Sequence, residues 1–446
     1  MNGGNVMKKF KKFASFLVCM TMLTGCGASS SEPIKETGAP EKQAQTESSN
    51  KGEVTTLNVA LWDYTSLEYH KKLVAAYEKR NPTVKINVIE APANDYSDKV
   101  AVMLAGNSDI DVVFIRDTAS YTGYISKGQL EPLDSYITAD TVDLSAYGGM
   151  CEQYGVDNQI YGLPYRKDIW MLFYNKDLFD QAGIAYPTDN MTLEQYRETA
   201  KKLTSGEGSD KIYGALNNKW TQSVSNLAMF EGTHSLLDGD YTFLKPYYDT
   251  VLAMQNEDQS TLEYSTIIAS NIHYSGPFYN GQVAMMPMGS WFINNMLENT
   301  ANGTTAVNWD VAALPSLNGD IGNKGVGAIT PVSISSKSKN KDLAWDFVKF
   351  VTTEEGAQIL AECGIMPAYS SESVLNTLTS IKGFPVHGKD LLLNTTDITI
   401  EFPVDEKWTS INKIIGEEHE LMMINEVGVD EELATLSQRV KDEVLN

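Results

Sequence analysis

Two pairs of side chains are suited to bind a polyhydroxy ligand, because each pair stands where a predicted strand ends. Trp62 and Asp63 follow a run of alternating apolar residues, and Arg116 and Asp117 follow a continuous apolar run. An indole ring packs on the apolar C–H face of a sugar, and ionised groups form strong hydrogen bonds with its hydroxyls. These pairs therefore predict a sugar-type site. Helix N-capping is the alternative role of Asp63 and Asp117.

The histidines do not form the pattern of a metal or catalytic site. They are scattered, with no pair at helical ligand spacing and no cysteine beside them, at His70, His234, His273, His387 and His419. The sequence also contains no Walker A motif, nucleophile elbow or dinucleotide-binding fingerprint. We therefore predict no metal, no cofactor and no enzyme activity. A glycoside-degrading enzyme stays open as an alternative, because its paired carboxylates are recognised in space and not in sequence.

The elements that would position these side chains alternate between strand and helix. Three apolar strand patterns enclose two amphipathic helix patterns, in the order 57–61, 68–77, 84–88, 95–105 and 110–115. This βαβαβ order predicts an α/β fold with a mainly parallel sheet covered by helices. Ligands of such sheets bind outside the carboxyl ends of the strands, which is where Trp62 and Asp117 stand.

Further along the chain the patterns predict mainly helices. The segment 165–308 is predicted to be mostly helical, and short strands are predicted at 311–314 and 332–334. Capping signals mark three helix starts, namely a capping box at 65–68, a second one formed by Thr192 and Gln195, and an N-cap at Asn340. A final helix is predicted over 430–445.

The N-terminus has the pattern of an export signal. A lysine-rich start precedes the apolar run 13–23, which is too short to span a bilayer. The run ends in Leu23-Thr24-Gly25-Cys26, which is typical of a bacterial lipobox. We predict a signal peptide over 1–25, lipidation of Cys26, and a disordered polar tether over 26–53 that cannot bury enough apolar surface to fold. An ordinary secretory signal with an incidental Cys26 is the alternative.

Composition narrows the possible partners. The formal net charge is −23, which argues against nucleic acid and against an anionic membrane surface as partners. The chain beyond the tether is long enough for two lobes, and we expect a monomer. Cys151 and Cys363 remain after removal of the signal and lipidation, and either a disulfide or two buried thiols fits their spacing.

Four segments together resemble the family 1 extracellular solute-binding proteins, the group that includes maltose-binding protein. They are IDVV at 110–113; YGLPY at 161–165 followed by FYNKDLF at 173–179; FYNGQVAM at 278–285 leading into MGSW at 288–291; and SKNK at 338–341 with TEEG at 353–356. The resemblance covers nearly the whole mature chain. It implies a type II periplasmic-binding-protein fold with two lobes and three crossings between them.

The resemblance also implies lobe boundaries. We expect crossings near Pro164, near Leu314 and after Val351. One lobe would then contain 54–163 and 314–352, and the other 164–313 and 353–446. A ligand held between the lobes contacts both of them only when they close, so its binding energy shifts the open–closed equilibrium.

The predicted ligand-binding residues come from strand ends and from family positions. Trp291 follows the glycine turn of the third segment, and Trp220 and Trp408 lie where the family commonly has stacking aromatics. Asp168 lies just after the first predicted crossing, where related sugar binders often carry an acid. The full set is Trp62, Asp63, Asp117, Tyr165, Arg166, Asp168, Trp220, Trp291 and Trp408. Each tryptophan has core packing as its alternative role. The alternative role of Arg166 is a salt bridge at the hinge.

The function implied by this resemblance is capture of a mono- or oligosaccharide at the extracellular face of the cell membrane. The chain would be the lipid-anchored substrate-binding component of an ABC importer and would deliver its ligand to the permease. A peptide or polyamine binder is the alternative within the same class, and the many acidic residues are compatible with a cation. A glycoside-degrading enzyme and a surface adhesin are alternatives from other classes.

Overall fold

The computed structural model describes residues 54–106 and 108–446. The predicted signal peptide at 1–25, the lipidated Cys26 and most of the tether at 26–53 lie outside the described residues. The fold is α/β, as predicted, with a nine-stranded sheet and helices on its faces. The described part of the chain contains no helix long and apolar enough to cross a bilayer.

The strands pair in the order β2-β1-β3-β8-β4-β6-β5, with β7 also paired to β4 and β9 to β8. Their bounds are Thr55–Trp62 (β1), Val84–Ala91 (β2), Val112–Phe114 (β3), Leu163–Asn175 (β4), Tyr213–Ala215 (β5), Val283–Gly289 (β6), Trp309–Ala312 (β7), Lys324–Ile334 (β8) and Asp397–Ile400 (β9). The pairs β1–β2 and β1–β3 are parallel, as the βαβαβ pattern predicts. The carboxyl ends of β1 and β3 therefore lie on the same edge.

Helices cover the sheet and fill the loops between strands. Their bounds are Glu68–Arg80 (α1), Ala93–Ala105 (α2), Thr118–Ser126 (α3), Asp134–Ala139 (α4), Met150–Gln153 (α5), Lys176–Ala182 (α6), Leu193–Leu203 (α7), Gln222–Met229 (α8), Lys245–Asn256 (α9), Tyr264–Ala269 (α10), Ser275–Tyr279 (α11), Trp291–Ala301 (α12), Lys341–Thr352 (α13), Glu354–Glu362 (α14), Glu372–Thr379 (α15), Gly388–Asn394 (α16), Trp408–Met423 (α17) and Val429–Val440 (α18). Short 3₁₀ turns lie at Leu144–Tyr147, Gly208–Asp210 and Thr242–Leu244, and a π-helical turn at Lys441–Leu445 ends the chain.

The strand β4 is central to the sheet and pairs with different strands along its length. Its first half, 163–169, pairs with β8, and its second half, 170–175, pairs with β6 and β7. The strand is buried on both faces in its second half, so it shows no alternation of apolar and polar residues. This is why the sequence pattern predicts the segment from 165 onward as mostly helical and misses both β4 and β6.

Two of the three predicted capping signals require correction or qualification. Leu67, not Thr65, occupies the N-cap position of α1, and the amide and hydroxyl of Thr65 donate to Glu90 Oε1 at 3.0 and 2.9 Å. The capping box predicted at 65–68 is therefore wrong, because α1 begins at Glu68 and Thr65 lies before its N-cap, bonded to a carboxylate of β2. Asn340 does stand at the N-cap of α13, but its side chain makes no capping hydrogen bond.

The capping box of α7 forms as predicted. Thr192 Oγ1 accepts from the Gln195 amide at 3.1 Å, and Gln195 Oε1 accepts from the Thr192 amide at 2.9 Å. Both bonds satisfy amides that the first helical turn leaves without partners. The buried face of α1 is also as predicted, with Leu73 and Tyr77 packed in the core.

Candidate functional site

A cavity of about 430 Å³ opens at the carboxyl ends of β1 and β3 and extends to the strands that join the two parts of the sheet. Its wall contains aromatic rings together with acidic and basic side chains. The lining residues are Trp62, Ala93, Arg116, Asp117, Thr118, Tyr154, Arg166, Asp168, Trp291, Ala328, Ile329, Thr330, Glu401 and Phe402. The structure thus brings together five of the nine predicted ligand residues, although they are far apart in the sequence.

Trp62 and Trp291 both line this cavity. Trp62 is the last residue of β1 and is 5% exposed, because the edges of His70 and Tyr96 pack against its ring with centroids 5.4 Å away. Trp291 is the first residue of α12 and is more exposed. Its indole N–H donates to Tyr274 Oη at 3.2 Å, which fixes the orientation of the ring. Trp291 therefore offers the larger aromatic surface to a ligand.

Gly289 is required for the position of the Trp291 ring. A Cβ on Gly289 would lie 1.9 Å from Cζ3 of Trp291, far inside van der Waals contact. The glycine at the end of β6 therefore leaves the space in which the indole lies. Trp170 packs edge-on against the same indole, with the ring centroids 5.6 Å apart, so the ring is held from two directions.

Arg166 and Asp168 lie on the cavity side of β4. A bulge between Pro164 and Arg166 shifts the pairing of β4 with β8. Arg166 and Asp168 then share one face because successive side chains of a strand alternate. Arg166 donates from Nε to Thr330 Oγ1 at 3.1 Å, so its partner is a hydroxyl on the neighbouring strand and not a hinge carboxylate. Lys167, between them, points away and donates to Ser370 Oγ at 2.9 Å.

Asp63 and Asp117 both act as structural acceptors, but only Asp117 also lines the cavity. Asp117 is the N-cap of α3 and accepts from the Ser120 amide at 2.8 Å. Asp63 adopts a left-handed backbone conformation with φ of 46°, and its carboxylate accepts from the amide of Ala93, the first residue of α2. The N-cap role is thus present for Asp117, which combines it with a place in the wall, whereas Asp63 holds the start of α2 from outside the N-cap position, which Pro92 occupies.

Tyr165, Trp220 and Trp408 do not line the cavity. Tyr165 is 1% exposed, and its hydroxyl bonds to His70 Nε2 at 3.2 Å within the core. Trp408 is the first residue of α17, is buried, and packs behind the cavity residue Phe402 with ring centroids 5.8 Å apart. Trp220 is partly buried and packs 6.4 Å from the Trp291 ring, which it supports from the side.

Glu401 is a cavity residue that sequence reasoning missed. It follows β9 directly, and its amide donates to the Gly327 carbonyl at 2.8 Å, which extends the ladder between β8 and β9. Its carboxylate Oε2 accepts from Trp170 Nε1 at 2.6 Å and from Asn226 Nδ2 at 2.8 Å. No local signal marks it, because β9 is only four residues long and its partners come from distant parts of the chain. Arg116, mentioned beside Asp117 but left out of the predicted set, also lines the cavity.

The two central carboxyl groups are harder to ionise than ordinary ones. Burial raises the pKa of Glu401 to about 7, against the lowering effect of its hydrogen bonds from Asn226 and Trp170. Burial also raises the pKa of Asp168, while Arg166 and hydrogen bonds from Ser290 Oγ and the Trp291 amide oppose the shift. The Asp168 charge also contributes to the raised pKa of Glu401.

A smaller cavity of about 160 Å³ shares Arg166, Asp168 and Trp291 with the central one. It also contacts Ser290 and Asn294 around the start of α12. The three shared side chains separate the two spaces and are accessible from both. A ligand larger than one ring can therefore contact the same side chains from two adjacent positions.

A larger cavity of about 590 Å³ is lined by residues close in sequence to those of the central cavity. Its residue Thr122 lies one turn of α3 after Thr118 of the central cavity, and its residue Gly155 directly follows Tyr154 of the central cavity. Asp405 and Glu406 also line the larger cavity. We call these three neighbouring cavities the groove.

Within the described part of the chain, no group of three or more His, Cys, Asp or Glu residues has metal-site geometry. Cys151 is buried and Cys363 partly buried, and both are free thiols in this structure. Burial raises the pKa of the Cys151 thiol, so it remains protonated and unreactive.

A family model of the bacterial extracellular solute-binding proteins matches residues 63–358. The chain belongs to this family. The match covers the cavity residues from Ala93 to Thr330, and this membership confirms the resemblance that the four sequence segments predict. The family and the relatives described next are binding proteins or transporters.

Similar proteins of known structure confirm the two-lobed fold. The structure of a sugar transporter from Rhizobium etli in an open conformation is 35% identical, with a TM-score of 0.82, and the match covers 87% of this chain and 99% of that one. An ABC substrate-binding protein from Listeria monocytogenes in complex with cycloalternan is 21% identical, with a TM-score of 0.73 and coverage of 88% and 99%. A galactooligosaccharide-binding protein of Bacillus subtilis is 24% identical over 79% of each chain.

Proposed function

We propose that this protein captures a mono- or oligosaccharide in the groove and delivers it to the permease of an ABC importer. The observation that carries the proposal is the chemistry of the central cavity, where the rings of Trp62 and Trp291 lie near Asp117, Arg166 and Asp168. Aromatic surface with a polar rim is the combination that binds the apolar faces and hydroxyl edges of a sugar. The sugar-binding names of its relatives support the same ligand class.

Of the predicted ligand residues, we propose that those on the wall contact the ligand directly. Trp220 would support Trp291 from the side, since their ring centroids are 6.4 Å apart. Asp63 would hold the start of α2 through its bond to the Ala93 amide. These second roles are positional, so substituting these residues should affect binding less than substituting Trp291.

We propose that the two lobes close around the ligand and that the permease recognises the closed form. We propose lobes of 54–163 with 314–352 and of 164–313 with 353–446. The long strands β4 and β8 lie beside the cavity through Asp168 and Ala328, so a bend in these strands would change its width. A ligand that contacts both walls favours the closed form by the difference between its affinities for the two forms.

We propose that the mature protein is a monomer held at the extracellular face of the cell membrane through a lipid on Cys26. The sequence 1–25 supports this location through its lysine-rich start, short apolar run and lipobox. The polar tether at 26–53 would let the domain move above the membrane surface. Mass spectrometry of the N-terminal peptide from expressed protein tests this part, and an unmodified Cys26 would contradict it.

The ligand class is tested by calorimetry of the purified protein against glucose, galactose, lactose, maltotriose and a galactooligosaccharide. We expect one or more of these sugars to bind with one-to-one stoichiometry, and Trp291→Ala to weaken that binding by at least tenfold. Trp345→Phe is the control, because Trp345 is buried on α13 against Asp140, away from the cavity. Binding of putrescine or a peptide in place of every sugar would contradict the proposal, and so would steady release of sugar products.

A further inference from the structure

Glu401 lines the central cavity, and the protein engages only one of its two carboxylate oxygens. Both of its hydrogen bonds, from Trp170 Nε1 and Asn226 Nδ2, reach the same oxygen, Oε2. No donor in the described part of the chain bonds to Oε1. The residue is only 6% exposed, yet it forms part of the cavity wall. The Oε1 atom of Glu401 is therefore available to a ligand in the cavity.

Oε1 is not among the fully buried atoms that lack a partner, so it is in contact with solvent in the free protein. A ligand that displaces this solvent must supply a donor in its place, because leaving a charged acceptor buried and unpaired costs more than the hydrogen bond itself contributes. A hydroxyl group is a suitable donor because it is neutral and can rotate toward the acceptor. A ligand carboxylate at the same place would instead meet the charges of Glu401 and Asp168 in a site of low dielectric constant.

We propose that Glu401 is a specificity-determining residue of this binding site, whose ionised Oε1 accepts a hydrogen bond from a hydroxyl group of a neutral sugar. The proposal rests on the sugar-binding function proposed above. It adds a ligand-contacting residue and a preference for neutral over anionic ligands. Trp170 and Asn226 are positioning residues in this scheme, because they hold Oε2 and so direct Oε1 toward the cavity.

The arrangement makes binding dependent on pH. The charged and titratable groups around Glu401 in the wall are Asp168 and Arg166 on β4, Arg116 and Asp117 after β3, and Tyr154 after α5. Glu401 titrates at about pH 7 in the free protein because burial raises its pKa. If the ionised form binds the sugar, affinity rises with pH through this range, and binding at pH 7 releases about half a proton per site.

The experiment compares the wild type with Glu401→Gln at pH 5.5, 7.0 and 8.0, using the sugar of the panel above that binds the wild type most tightly. Calorimetry in two buffers of different ionisation enthalpy measures the proton release of the wild type without any mutation. The glutamine retains an acceptor for Trp170 and Asn226, so the fold should persist, and thermal unfolding checks it. Asp397→Asn, an exposed carboxylate at the start of β9, is the matched control.

We expect the wild type to bind about thirtyfold more tightly at pH 8.0 than at pH 5.5, the ratio of the ionised fractions for a pKa of about 7, and Glu401→Gln to bind weakly with no such dependence. The control should follow the wild type. Equal affinity of Glu401→Gln and wild type at pH 8.0 would overturn the proposal, as would the same pH dependence in both. If the wild type binds no sugar at all, the proposed function fails. If the wild type binds a sugar but Glu401→Gln behaves like it, only the role of Glu401 fails.

Discussion

The indole N–H of Trp170 donates to the carboxylate of Glu401 at 2.6 Å, across 231 positions of the sequence. Trp170 stands on β4 where its partner changes from β8 to β6, and Glu401 follows β9 on the far side of β8. The same tryptophan packs edge-on against Trp291. One side chain thus links the carboxyl group and the aromatic ring that we propose to hold the ligand.

We predict that Trp170→Phe destabilises the protein more at pH 8 than at pH 5. At pH 8 Glu401 is ionised, and a hydrogen bond to a buried charge contributes about 1.5–3 kcal/mol. At pH 5 Glu401 is protonated in the folded state, because its pKa is about 7, and the lost bond is weaker. Urea unfolding at the two pH values measures the difference.

Trp345→Phe provides the control for that comparison. Its indole N–H also donates to a carboxylate, Asp140 Oδ2 at 2.8 Å. The Lys349 ammonium and the indole hold the pKa of Asp140 below its usual range, so it is ionised at both pH values. We therefore expect Trp345→Phe to have the same effect at pH 5 and pH 8. An equal cost of Trp170→Phe at both values would refute the role of the Glu401 charge.

We predict that Glu401→Gln removes a pH-dependent penalty from the free energy of unfolding. A carboxyl group with a raised folded-state pKa favours the folded protein below its unfolded pKa, and this advantage is lost as pH rises through about 7. The shift from 4.5 to about 7 corresponds to about 3 kcal/mol. The difference in stability between variant and wild type should therefore change by about this amount between pH 4 and pH 8. A constant difference would contradict the assignment.

We predict that Gly289→Ala weakens sugar binding while the protein still folds. The added Cβ would lie 1.9 Å from Cζ3 of Trp291, and the far end of that ring must turn away. We expect at least tenfold weaker binding by calorimetry and a shift of the tryptophan fluorescence. Gly276→Ala is the control, since a Cβ there meets nothing within 4 Å. Unchanged affinity of Gly289→Ala would mean that the Trp291 ring is not part of the site.

We predict that Tyr165→Phe lowers stability but leaves sugar affinity unchanged. The hydroxyl of Tyr165 bonds to His70 Nε2 at 3.2 Å in the core, and its loss leaves a buried nitrogen unpaired, at a cost of about 1–3 kcal/mol. Burial lowers the pKa of His70 to about 3, so the ring stays neutral and the cost should not vary between pH 6 and pH 8. Denaturant unfolding and calorimetry measure the two effects, and a loss of affinity would place Tyr165 in the site.

Local patterns in the sequence determined the early part of the fold and the outline of the site. The alternation of Leu57, Val59 and Leu61 with the intervening helix patterns predicted parallel strands, and Trp62 and Asp117 at their ends do line the cavity. The Thr192–Gln195 capping box was predictable for the same reason. These features depend on interactions between residues that are close in sequence. Such interactions form wherever the strand or helix itself forms.

Other features were decided only by the tertiary structure. Tyr165 and Arg166 are adjacent in sequence, yet one lies in the core and the other in the wall, because strand side chains alternate and a bulge after Pro164 sets their register. Thr65 does not cap α1, because the helix begins at Glu68, and Thr65 instead donates to Glu90 of β2. Glu401 became a site residue because Trp170 and Asn226 hold it from distant elements. The burial of a side chain, its hydrogen-bond partner and the direction in which it points depend on how the whole chain packs. These three properties decide which polar residue faces a ligand.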